Sequence, residues 1–135
     1  MVMAKSMSLL PAKYALPLIF VLVFPEGCAS SISSSVLLSR LGNEKDAPAV
    51  VDVRTRAEFK QGHLPGAVNI SLLVLPFQLA AVPAKGKGDP VVVYCSHGPR
   101  AGLAGWILGL AGYKDVIHLQ GDLAGWKSRG LVVEQ

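Results

Sequence analysis

Cys95 and Arg100 bracket the one stretch whose residue types and spacing point to covalent chemistry, Cys95-Ser96-His97-Gly98-Pro99-Arg100. Val91-Val92-Val93-Tyr94 comes before it, and a long apolar run through Trp106 to Leu110 follows. The β-branched run predicts a buried strand. The later run, longer and rich in small residues, predicts a helix. Cys95 is then expected where a strand ends and a helix begins, a place where backbone N–H groups and the helix dipole favour an anion. A thiol there is stabilised as its thiolate. Arg100 can return toward the sulfur if the loop curls into a cradle. Such a site suits sulfur or phosphorus chemistry on an anion. The plainer reading of a cysteine at a strand end is a small buried apolar side chain. Gly98 and Arg100 tilt the balance toward function.

Other chemistries find little support. The chain has two cysteines, Cys28 and Cys95, too far apart for a Cys-x-x-Cys redox pair and too few for a disulfide framework. His63, His97 and His118 are scattered and have no acidic partner at zinc spacing, so neither metal nor cofactor is expected. The formal charge of +4 includes Lys5, Lys13 and Glu26 near the N-terminus, and falls to +3 without them. That balance is too small and dispersed for nucleic acid, and it is compatible with a small anionic substrate.

The elements that must position Cys95 follow from punctuation and pattern. Ser30 to Ser35 reads as a polar linker. Val36 to Leu41 reads as a short helix with Ser33 or Ser34 as cap, ended by Gly42-Asn43. Ala49 to Val53 is a strand. Thr55 caps a brief helix to Lys60, with Glu58 completing a capping box. Gly62-His63-Leu64-Pro65-Gly66 is a turn and Ala67 to Ile70 a short strand. Ser71 to Ala81 is a helix, or two helical turns joined at Pro76. Pro83 to Pro90 is an exposed loop, Val116 to Leu119 a last strand, and Leu123 to Ser128 a last helix. Alternating strands and helices predict an α/β domain, a small parallel sheet flanked by helices on both faces. Such sheets hold their sites at the carboxyl ends of strands, where Cys95 falls.

Residues 1–29 have the pattern of a secretory signal. Lys5 and Lys13 form a basic region, and Tyr14 to Phe24 is an apolar run of 11 residues, short of the ~20 that span a bilayer. Gly27-Cys28-Ala29 is a small-x-small cleavage pattern. Cleavage there is the favoured reading, with an exported, periplasmic protein and no membrane span after processing. The alternative is a lipoprotein signal with a lipid anchor at Cys28, which Pro25 and Glu26 do not suit.

Three segments then resemble the rhodanese family: Val51-Asp52-Val53-Arg54 with Glu58-Phe59 and Gly62 to Ile70, Val92 to Arg100, and Gly121-Asp122-Leu123-Ala124-Gly125-Trp126. The last is similar to a closing Gly-Gly-x-x-x-Trp signature, with Asp122 where a second glycine is commoner. The resemblance implies a rhodanese-like three-layer domain over 36–135 and a thiosulfate sulfurtransferase-like activity, in which sulfane sulfur moves through a Cys95 persulfide. Cys95 takes the place of the nucleophile and Arg100 that of the loop arginine. The loop has the six-residue length of sulfurtransferases, shorter than in phosphatases of this fold. Two positions depart from the pattern. Ala101 lacks a hydroxyl the family often has, and Pro99 has no N–H to offer the cradle.

The expected donor is a small sulfur anion such as thiosulfate, and the acceptor cyanide, a thiol or a sulfur-accepting protein. Arg100 is expected to position the donor. Ser96, His97 and Gly98 are expected to contact it through the loop amides, the serine hydroxyl and the imidazole. Asp52, Arg54 and Glu58 read as scaffold, with Arg54 and Glu58 paired one helical turn apart. His63 fixes its turn, His118 is neutral scaffolding, and Trp106 and Trp126 are core. The alternatives are a persulfide carrier, an interaction module on the same fold, and a phosphatase or arsenate reductase.

Overall fold

The computed structural model describes residues 30–135; the signal segment and Cys28 lie outside them. The chain runs β1 (Ser30–Ile32), α1 (Ser34–Leu41), β2 (Ala49–Asp52), α2 (Arg56–Lys60) and β3 (Val68–Asn69). Two single 3₁₀ turns follow (Leu75–Phe77, Leu79–Ala81), then β4 (Val91–Tyr94), α3 (Pro99–Leu110), β5 (Val116–Leu119) and α4 (Asp122–Ser128). The five strands form one sheet in the order β1-β5-β4-β2-β3, and every pairing is parallel.

Period-2 alternation within the central strands builds two cores. Val51, Val91, Val93 and Val116 face Ala101, Ala104 and Leu108 of α3 together with Leu75 and Val82. Val50, Val92, Tyr94, Ile117 and Leu119 face Leu37 of α1 and Leu123 and Trp126 of α4. Both faces of β4 are therefore covered, which is why it reads as an unbroken apolar run. The expected three-layer α/β arrangement is the one observed.

Ser30 to Ser35 is not a linker. Ser30–Ile32 is an edge strand, in register with Ile117–Leu119 of β5, and the domain begins before residue 36. Its two serines are exposed and only Ile32 is buried. An edge strand with one inward residue carries almost no apolar signature. Ser33 then caps α1, its hydroxyl accepting from Val36 N–H. Between β3 and β4 the expected helical turns are two tight 3₁₀ turns, with Pro76 in the first. Trp126 is fully buried, while Trp106 is only partly covered.

Candidate active site

Cys95 follows the last residue of β4, and Gly98 is the N-cap of α3. Pro99 takes the first helical position, where a missing N–H costs least. Gly98 has φ +121, and a Cβ built on it would lie 3.3 Å from Asp122 Oδ2. Backbone and space both call for glycine here. The reward is a directed amide: Gly98 N–H donates to Cys95 Sγ at 3.0 Å. The expected cradle at a helix N-terminus is thus in place for at least one donor.

The sulfur is not openly presented. Cys95 is 1% exposed, at the floor of its loop, so a reagent must be slender or the loop must open. A cavity of about 550 Å³ lies at the other end of the sheet, beside Ala49 and Pro90, and does not include Cys95.

Arg100 has a partner within the protein. Its guanidinium grips Glu58 with both branches, Nη1 to Oε2 at 2.8 Å and Nη2 to Oε1 at 2.9 Å, and Nη2 also donates to Ser96 Oγ at 3.1 Å. The Arg100 fork, aided by Thr55 N–H and Oγ1–H, holds the Glu58 carboxyl well below the usual carboxylate range. Glu58 in turn keeps Arg100 above its ordinary value, and the nearby Cys95 sulfur adds to that. Arg100 therefore lies near the sulfur with its guanidinium committed to Glu58 and Ser96 and much of its charge already offset. Ser96 is drawn into the same network, its hydroxyl 3.4 Å from Glu58 Oε1. His97 is exposed on the loop.

Glu58 does not pair with Arg54. Thr55 is an extended N-cap, so Arg54 precedes the helix and the four-residue helical spacing does not apply to it. Arg54 instead binds Asp52, Nη2 to Oδ2 at 2.7 Å, and donates to Gly62 O at 2.7 Å, all buried. This is scaffold, as expected, with a different pairing. The capping box is present in both directions. His63 does fix its turn, its Nδ1 3.0 Å from Phe59 O and its ring stacked on Phe59.

Two site residues were missed by sequence reasoning. Glu58 clamps the end of the loop from 42 residues away, and only its capping role has a local signal. Asp122 accepts from Cys95 N–H at 2.9 Å and lies 3.0 and 3.1 Å from His118 Nε2. Its signal was the departure from the Gly-Gly pattern. His118, expected as scaffolding, is thereby tied to the start of the Cys95 loop. Among the described residues no cluster of side chains could hold a metal ion, and no helix is long and apolar enough to cross a membrane.

A parallel five-stranded sheet with a cysteine loop leading into a helix at a strand's carboxyl end defines a class of single-domain α/β protein. The rhodanese-like domain family matches residues 33–129, and the chain belongs to that family. A sulfurtransferase of Allochromatium vinosum is 34% identical over 104 residues, which cover 77% of this chain and 94% of that protein. The thiosulfate sulfurtransferase PspE of Escherichia coli is 40% identical over 83 residues, 59% of this chain and 78% of PspE. The solved structure of the human single-domain sulfurtransferase TSTD1 aligns with a TM-score of 0.66 at 27% identity, covering 75% of this chain and 97% of that one. These relatives support sulfur transfer as the general chemistry of the domain.

Proposed function

We propose that the protein moves sulfane sulfur from a small anionic donor such as thiosulfate to cyanide or a thiol, with Cys95 as the carrier. The Cys95 thiolate attacks the outer sulfur of the donor. The new S–S bond forms as the donor's own S–S bond breaks, and sulfite leaves with the electron pair. The acceptor then attacks the terminal sulfur of the persulfide and returns Cys95 as thiolate. The observation that carries this reading is the Gly98 N–H aimed at Sγ at the start of α3. A fixed amide dipole stabilises a sulfur anion without reorganising. Export of the mature domain to the periplasm is part of the same proposal, on the strength of the N-terminal pattern alone.

The test is the mass of the purified protein after thiosulfate treatment. A gain of about 32 Da, one sulfur atom, should appear on the Cys95 peptide, disappear on adding cyanide, and be absent from Cys95→Ser. Steady-state kinetics should be ping-pong. Absence of the added sulfur from a folded protein refutes the proposal. The deep seat of Cys95 favours a second reading, a carrier that loads readily and releases slowly. Stable loading without turnover would select it. The intact mass also reports cleavage near Ala29 or a lipid on Cys28.

A further inference from the structure

Asp122 breaks two local rules. Its φ is +53, a left-handed conformation that side chains other than glycine rarely adopt, and the residue is 3% exposed, where an unpaired charge is costly. Glycine would avoid both costs. The carboxylate is nevertheless fully engaged: Oδ1 accepts from Cys95 N–H, and both oxygens face His118 Nε2. A carboxylate only accepts, so Nε2 carries a hydrogen. The next two residues bind the same loop, Leu123 N–H to Cys95 O and Ala124 N–H to Ser96 O. A Cβ built at Gly98 would lie 3.3 Å from Asp122 Oδ2 and 3.7 Å from His118 Cε1. The pair thus lies against both the first residue of the loop and Gly98, the residue whose amide donates to the sulfur.

The sulfur-transfer scheme makes no use of this pair, yet it places a negative charge beside a second one. His118 comes from β5 with its side chain 27% exposed, so it exchanges protons with solvent. The other ionisable groups around the loop are Cys95 and His97 within it, and Arg100 of α3, which Glu58 of α2 already holds. The rest of α3 carries no charge. The residues in register with His118, Ser31 of β1 and Val93 of β4, carry none either. On the Asp122 side, His118 is the group that can offset the carboxylate.

We infer that Asp122 and His118 form a positioning pair for the Cys95 loop. Asp122 fixes the Cys95 amide, and the proton on His118 sets the charge the loop presents to the sulfur. With imidazolium the pair is neutral; with neutral imidazole it carries one negative charge, which opposes the thiolate. The inference rests on Cys95 being the reacting nucleophile, but it concerns the free thiol and can be read without a sulfur donor.

The experiment is the rate of alkylation of Cys95 by iodoacetamide in the full chain, followed on the Cys95 peptide by mass spectrometry from about pH 5.5 to about pH 9, a range spanning imidazole and thiol titration. His118→Gln keeps an N–H for Asp122 and cannot be protonated. Its rate should be about fivefold below wild type at the acid end, from one uncompensated charge near the sulfur, and should meet the wild-type rate at the alkaline end. Asp122→Asn keeps the acceptor for Cys95 N–H, tolerates the left-handed backbone and removes the charge. Its rate at about pH 8 should rise by a similar factor. A His118→Gln profile parallel to wild type, or an Asp122→Asn rate no higher than wild type, overturns the inference. Sulfur loading in the same preparations is read separately. Failure to load with the expected alkylation profiles defeats the proposed function and leaves the pair. Normal loading with parallel profiles does the reverse.

Discussion

Glu58→Gln tests the clamp that closes the Cys95 loop. Glu58 receives two guanidinium hydrogen bonds from Arg100 at 2.8 and 2.9 Å, and two from Thr55 at 2.9 Å each. Hydrogen bonds to charged groups are worth about 1.5–3 kcal/mol. The side chains are 33% and 36% exposed, and ion pairs at such exposure usually contribute no more than about 1 kcal/mol. Glutamine has one acceptor oxygen to divide between Arg100 and Thr55, so part of the capping box goes too, adding about 0.5 kcal/mol. The total, about 1.5 kcal/mol, lowers Tm by about 5–10 °C for a domain of this size.

The pH dependence of that loss carries its own sign. Glu58 is held below its ordinary value of 4.5, so its contribution is complete above that value and is lost as pH falls through the lower, folded one. Wild type and variant should differ by a constant amount from neutral pH to about pH 5 and converge only in stronger acid. The assay is thermal unfolding across pH. Equal Tm values at pH 7, or a difference unchanged in strong acid, would refute the account. The freed Arg100 should also bind an anionic donor more tightly, seen as a fall in KM for thiosulfate.

Gly98→Ala places a Cβ at φ +121 and 3.3 Å from Asp122 Oδ2; it should cost about 1–3 kcal/mol in denaturant unfolding and slow sulfur loading more than it lowers stability at the assay temperature. Tyr94→Phe removes the hydroxyl that accepts from the buried Leu64 N–H at 3.0 Å, and should cost about 1–3 kcal/mol with loading of the remaining folded protein unchanged. Deleting Ser30–Ile32 removes β1 and exposes the β5 edge; a lower Tm and a tendency to self-associate, read by light scattering, are expected. Because Arg100 and Glu58 neutralise each other, kcat/KM for thiosulfate should change little between low and moderate salt, whereas Glu58→Gln should become salt-sensitive.

The central strands were legible because each of their faces meets a helix, so valine repeats without interruption in β2 and β4. The Thr55–Glu58 box and the start of α3 were legible because their chemistry is local. What escaped is non-local or unpatterned. The inward residues of β1 number one, Ile32, and the pairing with β5 spans most of the chain. Arg54 and Glu58 have helical spacing, but the N-cap between them puts Arg54 outside the helix. The Arg100–Glu58 grip joins two segments that only the folded sheet brings together. Asp122 stood out in sequence as a departure from a glycine pattern, yet its partners, an amide on β4's loop and an imidazole on β5, have no sequence signature.

Charge around the sulfur follows from these pairings. Glu58 holds the last residue of the loop through Arg100, and Asp122 holds the first through the Cys95 amide. Each acid has a base beside it, so neither end of the loop offers a bare cation. What remains directed at Sγ is a dipole, the Gly98 N–H at the head of a 12-residue helix. In the proposed cycle a sulfur anion is present before Cys95 attacks the donor and again once the acceptor has taken the terminal sulfur. A fixed dipole serves both moments alike, whereas an unpaired guanidinium would also retain the departing sulfite. In that proposed cycle the Arg100–Glu58 pair does more than brace the loop: it keeps the guanidinium from competing with product release.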